Sequence, residues 1–310
     1  MEFLKDKFYD YYKVDFDFEI KNICSLNNPQ NNSISFANKL NSENIGKISN
    51  FELLMFITFH DAQELGEEIR NIKAKFIFCD NPRLEYIRSL RNFFSNTNTV
   101  PNYPDKAYID TSSVIHPSVK IGPFSYIGPS CVLEEGIEIA AGVQLIENVE
   151  IKRNTIIGPG TIIGSIGFGV ERDSSGPRKV ISFEGEPMKM PHLGGVFIDE
   201  NCHIGALNTV VAGAIDPTYI GKNVQTDDHC HIAHNCIINE GVLIAASACI
   251  GGSVKVGQNS WIGLGSTLMQ KIQVGRRNTI GLGASVLKST EDDEVWAGNP
   301  AKLLKKNNQL

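Results

Sequence analysis

The ten residues at 226–235 read T-D-D-H-C-H-I-A-H-N, and they hold His229, His231 and His234 within six positions, next to Asp227 and Asp228. Imidazoles at that density bind a metal, carry protons, or stand solvated on a surface. The residue types do not choose among these. The choice rests on where each side chain points, and so on the element that carries it.

Composition narrows the setting. With 29 basic and 35 acidic side chains the net charge is −6, which argues against nucleic acid as the main partner. No apolar run approaches the ~20 residues of a membrane span. The best candidate, F-E-L-L-M-F-I-T-F at 51–59, is short and carries Glu52. The start, M-E-F-L-K-D-K-F, lacks a charged-then-apolar leader pattern. Seven scattered cysteines with no C-x-x-C pair read as reduced thiols, so a cytoplasmic protein is expected. The two halves differ. Residues 1–120 contain only Gly46 and Gly66 of the 28 glycines, whereas twelve of the sixteen phenylalanines precede residue 100. The boundary falls in V-P-N-Y-P-D at 100–105.

From Ile109, every sixth residue is Ile or Leu through Ile163, ten in succession. Four residues after each lies a small or β-branched one, such as Ser125, Cys131 or Thr155. The pattern returns at Ile198, Ile204 and Val210, slips by four, and then runs from Ile220 to Val286, broken at Thr226. A period of six suits neither a helix at 3.6 nor a two-sided strand at 2. It suits a triangular coil in which each face is one hexad, three hexads close 18 residues, and stacked coils share a core. Such units (I-G-P-F-S-Y, I-G-P-S-C-V, I-G-P-G-T-I) resemble the hexapeptide-repeat left-handed parallel β-helix, and the left hand is an implication of that resemblance.

The expected fold is therefore mainly β, a left-handed parallel β-helix preceded by a small α/β domain. Its divisions are 1–104 (α/β), 105–290 (β-helix, with an excursion at 164–197) and 291–310 (tail). In the first domain Phe76–Cys79 reads as a buried strand. Asn81-Pro82 opens a helix with Leu84, Ile87, Leu90 and Phe94 along one face.

With Thr226, Ile232 and Ile238 directed inward, His229, His231 and His234 take outward or corner positions. Eighteen residues beyond His234 lies Gly252, so a base and a backbone oxyanion donor would be stacked together. Asp227 lies seven residues before His234 and is expected to orient it by triad logic. Asp228, His229 and His231 are candidate substrate contacts. A zinc site shared across a subunit interface, as in a lyase of the carbonic-anhydrase type, and a non-catalytic scaffold are the rival readings. Cys230 and Cys236 fall at inward positions, which argues against a thiol nucleophile.

Beyond the repeat, the chain resembles the UDP-3-O-acylglucosamine N-acyltransferases of lipid A synthesis. The likeness rests on N-S-I-S-F-A-N-K, N-P-R-L-E-Y, G-F-G at 167–169, K-M-P-H-L-G-G-V at 189–196 and D-D-H-C-H-I-A-H-N. It implies His234 as general base with Asp227, Gly252 as oxyanion donor, and a first domain that holds the nucleotide base through Phe36 and Asn38. It also implies a homotrimer with sites between prisms. Three features depart from that pattern. Val211 and Ala212 stand where the family has Asp and Arg, Lys271 replaces a second histidine, and no aromatic follows the I-S-F motif. The ending W-A-G-N-P-A-K-L-L-K-K resembles CoA-dependent sugar acetyltransferases, and Arg276, Arg277, Lys288, Lys302, Lys305 and Lys306 would suit the phosphates of CoA or an acidic carrier protein. The expected activity is N-acylation of a nucleotide-linked amino sugar for a surface polysaccharide such as O-antigen. Acyl-CoA or acyl carrier protein would be co-substrate, with no permanently bound cofactor and no metal. The lipid A reaction itself is the alternative.

Overall fold

The computed structural model describes residues 4–70, 72–94, 102–173 and 186–306. The chain divides into two compact units, residues 1–99 and 100–310.

The first unit is a four-stranded parallel sheet, β1 (Asn22–Ile23), β2 (Ser33–Phe36), β3 (Leu53–Ile57) and β4 (Lys75–Phe78), in that spatial order. Helices α1 (Leu4–Tyr12), α2 (Ser42–Ile48), α3 (Phe59–Leu65) and α4 (Pro82–Ser89) complete it. The apolar run at 51–59 is explained by β3, whose five residues are all buried. Leu53, Met55 and Ile57 enter one apolar cluster, Leu54 and Phe56 the other, as in a parallel sheet covered on both faces. Asn81 caps α4 through a 3.0 Å hydrogen bond accepted from Leu84 N. The expected helix face is corrected: Leu84 and Ile87 are exposed, while Pro82 and Ser89 are buried. The stripe that meets the sheet is shifted toward Tyr86, which packs on Phe36.

The second unit is a three-faced prism. Among the described residues its three sheets contain ten, nine and eight strands, most of them two residues long, and all but the last strand of the ten pair in parallel with neighbouring coils. Partners are normally 18 residues apart, as Ile232 is over Ile250. Across the excursion the pairing jumps to Ile163 with Val210, and across the slip to Val210 with Ile232. The core stays continuous because these departures lie outside the ladder and do not shift it: Ile163, Val210, Ile232 and Ile250 are all buried in one apolar column.

The excursion is narrower than expected. Ser165 still pairs with Val211, and Val196 already pairs with Val149. Val170–Asp173 and Glu186–Lys189 pair antiparallel in a two-stranded sheet of their own. At the far end Glu294–Ala297 adds to the ten-stranded sheet and Lys302–Lys306 folds back on it antiparallel, with Trp296 buried against the last coil.

Thr226, the one break in the later register, has a partner for its hydroxyl. Thr226 Oγ1 accepts 2.8 Å from Asn208 Nδ2 and 3.1 Å from Gly205 N, inside the prism. Replacing Thr226 with Val restores the aliphatic pattern but removes one of two acceptors from each donor, Gly205 N keeping Thr226 O and Asn208 Nδ2 keeping Asp227 O. It should destabilise the protein by about 1 kcal/mol in denaturant unfolding. An unchanged or raised midpoint would show the polar pair to be dispensable.

Candidate active site

His234 lies two residues past inward Ile232, at the corner after the strand His231–Ile232. Its ring lies against Gly252 one coil on. A Cβ built on Gly252 would stand 2.6 Å from Nε2 and 2.8 Å from Cε1. Only glycine leaves that space, and its backbone is not in the left-handed region, so the requirement comes from the ring rather than the turn. Gly252 N–H has no partner among the described residues, whereas its carbonyl accepts from Lys271 N. A free donor thus stands beside an imidazole at a solvent-reaching corner.

Asn235 sets the tautomer. Its Oδ1 accepts from Ala214 N at 3.1 Å and its Nδ2 donates to Asp216 O at 3.0 Å, so two backbone groups fix which amide atom faces where. That same Oδ1 lies 3.1 Å from His234 Nδ1, which therefore carries the hydrogen and leaves Nε2 as the acceptor. The atom over Gly252 is the basic one.

A second imidazole, not singled out in the sequence, completes the corner. His192 is 8% exposed, its ring centroid is 5.2 Å from that of His234, and the planes cross at 71°. Its Nδ1 donates 2.9 Å to Met190 O. The chain entering and leaving His192 is built for it. A Cβ on Gly167 would lie 2.6 Å from His192 Nε2, and Gly194 could carry none because the Ile215 carbonyl would lie 2.4 Å away. Leu193 N and Gly194 N donate to Ala214 O and Gly213 O. The loop at 213–217 thus braces His192 on one side and Asn235 on the other. Val211 and Ala212 are buried: Val211 lies against the Gly167 backbone, and Ala212 N donates to Ser165 O.

Asp227 does not meet His234, which corrects the expected dyad. Its Oδ1 accepts 2.8 Å from Asp228 N, and among the described residues no hydrogen bond or ion pair joins it to His234. A full face, His231–Ile232, separates the two corners, and Asn235 occupies the position beside Nδ1. Asp228 Oδ1 accepts from Ala206 N at 2.6 Å, a stitch between coils. His229 stands exposed at the same corner in the left-handed region (φ 59°), and His231 faces outward from the strand. Within the chain the donor atoms of His229, His231 and His234 do not gather; among the described residues the one compact set of metal-type donors is His60, Asp61 and Glu64 of α3. Cys230 and Cys236 are core residues, and burial pushes the Cys236 thiol up to about 12, far from a ready thiolate.

In the first unit Phe36 and Asn38 line a cleft of ≈590 Å³ together with Cys24 and Tyr86. Tyr86 lies 4.9 Å from Phe36 between ring centroids. It supplies a second aromatic from α4, not from the residues after the I-S-F motif. At the far end of the prism the expected cationic patch is corrected. Arg276 pairs with Asp292 at 2.7 Å and Arg277 with Asp293 at 2.6 Å. Lys306 pairs with Glu294 at 2.8 Å, and Lys288 Nζ lies 5.3 Å over the Trp296 ring. Lys302 and Lys305 are exposed. The acidic run T-E-D-D-E at 290–294 neutralises what the arginines would have offered a phosphate.

Residues 217–252, which span His234 and Gly252, match the family model described as bacterial transferase hexapeptide (six repeats). The prism is a left-handed parallel β-helix of that hexapeptide kind. Over 66% of this chain it superposes on 74% of the UDP-N-acetylglucosamine O-acyltransferase of Moraxella catarrhalis RH4, with a TM-score of 0.56 at 23% identity. A UDP-N-acetylglucosamine acyltransferase from Bacteroides fragilis 9343 gives 0.56 over 65% of this chain and 73% of that one, at 24% identity. In sequence the chain is similar to the UDP-3-O-acylglucosamine N-acyltransferases of Caulobacter sp. (strain K31) and Pseudoalteromonas translucida (strain TAC 125). The first is 32% identical over 143 residues, 46% of this chain and 39% of that one. The second is 38% identical over 89 residues, 29% and 23%. The chain thus spans well under half the length of these curated relatives. Among the described residues no helix is long and apolar enough to cross a membrane.

Gly252→Ala should keep the backbone and displace the His234 ring. The expected result is a loss of about 10²-fold in turnover, from misplacement of the base, with little change in melting temperature. Turnover matching the wild type would mean that the ring position does not matter to the chemistry.

Proposed function

We propose that the chain transfers an acyl group from a thioester to the amino group of a UDP-linked amino sugar, in the manner of UDP-3-O-acylglucosamine N-acylation. The observation that carries this reading is the placement of a tautomer-fixed His234 Nε2 over Gly252, with an unpartnered N–H in the same contact. The sugar nitrogen attacks the thioester carbonyl while Nε2 takes its proton. The oxyanion that forms is met by Gly252 N–H, and the C–S bond then breaks, the sulfur recovering the proton. One such donor is worth roughly 3 kcal/mol in the barrier and general-base help about 10²–10⁴-fold. No acyl-enzyme is required, which agrees with the burial of Cys230 and Cys236, the two cysteines that flank His234 in sequence.

One finding favours this substrate over the different surface-polysaccharide sugar expected from the motif departures and the tail, and a second bears on the donor. The relatives similar in sequence carry the name UDP-3-O-acylglucosamine N-acyltransferase. The ion pairs of Arg276 and Arg277 also weaken the case for a CoA-phosphate patch at the tail. On this reading acyl carrier protein is the favoured donor and Phe36, Asn38 and Tyr86 hold the nucleotide base. A homotrimer would bring a neighbouring prism to the His234 corner.

Thiol release should be followed with 3-hydroxyacyl-carrier protein and acyl-CoA against UDP-3-O-acylglucosamine and a panel of UDP- and dTDP-amino sugars. We expect turnover with the 3-O-acyl substrate that drops about 10³-fold in His234→Ala. Turnover with a different amino sugar alone would transfer the reading to that sugar. Silence with all of them, or an undiminished mutant, would end the acyltransferase assignment to this corner.

A further inference from the structure

His192 is held for more than packing. The Nδ1–H bond to Met190 O fixes its tautomer, so Nε2 presents a lone pair, as Nε2 of the neighbouring His234 ring does. That Nε2 has no hydrogen-bond partner among the described residues. Nor is it sealed: among those residues the one fully buried side-chain N or O left without a partner is Ser266 Oγ. A basic nitrogen on a nearly buried ring, reachable and unpartnered, is poorly placed for a purely structural histidine. Two glycines keep the space around it, since a Cβ on Gly167 would come within 2.6 Å of Nε2 and one on Gly169 within 3.3 Å of Cε1.

A primary amine poses a problem that one histidine does not solve. It brings two N–H bonds when neutral. One proton must leave as the C–N bond forms, and the other stays on the amide product. Unless both hydrogens are held, the nitrogen can turn about its C–N bond and its lone pair loses aim at the carbonyl. The corner offers two acceptor nitrogens of fixed tautomer, on crossed rings whose centroids lie 5.2 Å apart, a spacing that one amine nitrogen can bridge.

We propose that His192 is a second catalytic residue: its Nε2 accepts a hydrogen bond from the N–H that the substrate amine retains, while His234 Nε2 removes the other proton. The inference rests on the acyl-transfer reading and extends it to substrates with a primary amine. The balance is unchanged by His192, which neither gains nor loses a proton. Nitrogen loses one hydrogen to His234, and the departing sulfur takes it up.

Asparagine and glutamine separate the two ring nitrogens. His192→Asn keeps a donor near the Nδ1 position for Met190 O and deletes Nε2. His192→Gln places an amide oxygen where Nε2 was. The wild type and both variants should be compared on the primary-amine sugar nucleotide and on its N-methyl analogue, which has a single N–H. Melting temperatures of all three should be recorded. We expect His192→Asn to lose about tenfold in kcat on the primary amine with KM little changed, the size of one hydrogen bond. His192→Gln should recover most of that loss. On the N-methyl substrate the Asn variant should match the wild type, because the hydrogen that His192 holds is gone. Equal losses on both substrates, or no loss on either, would overturn the role for Nε2 while leaving the acyltransferase reading intact. A wild type that acylates neither amine would overturn both.

Discussion

Each coil of the prism must lay its backbone directly over the one before it, and the other features of this unit answer to that requirement. The hydrogen bonds of the short strands run along the axis, to the coils above and below, so a coil depends on its neighbours for most of its amides and carbonyls. Closing a triangle at each level then demands a sharp corner every six residues. The backbone shows it: Phe124, Ser130, Asn148, Asn154, Asn201, Asn223, Asn235 and Asn259 all adopt positive φ at the same place in the hexad. Among the described residues no β-branched side chain takes that place, and asparagine is frequent there because its short amide tolerates the left-handed region. Asn235 is therefore chosen twice over. The corner favours its backbone, and its amide also fixes the tautomer of His234.

This requirement explains what could be read from the sequence. Inward positions were legible because a period of six sets direction without any knowledge of neighbours; Ile157, Ile204, Ile232 and Ile250 all lie where counting placed them. The stacking of Gly252 on His234 was legible for the same reason, since 18 residues is one coil. The cap of α4 was legible because Asn-Pro has its own local chemistry.

What was not legible depended on contacts that no period encodes. Seven residues from Asp227 to His234 look close in sequence but cross a whole face. The cations at 276 and 277 look unopposed until the chain returns and sets Asp292 and Asp293 against them. The buried side of α4 was misplaced because Leu84 and Ile87 are apolar without facing the sheet, while Tyr86, half-buried beside Phe36, does. His192 could be quoted as part of a motif but not aimed, because it lies in the excursion, where the count is suspended.

The candidate site is concentrated where the repeat is broken. The regular coils supply His234 and Gly252, but they would supply a similar pair of side chains at any corner. The excursion returns through Leu193–Gly195 and pairs with the four-residue slip at Gly213 and Ala214. That loop in turn holds Asn235 through Ala214 N and Asp216 O. Two departures from the period thus meet at one corner and orient two imidazoles there, with the tight glycines 194 and 213 making the approach possible. A prism shared with acyltransferases at 23–24% identity says little about which corner reacts. The irregular residues set this corner apart from the others, because the excursion and the slip bond to each other beside it and hold both His192 and His234 there.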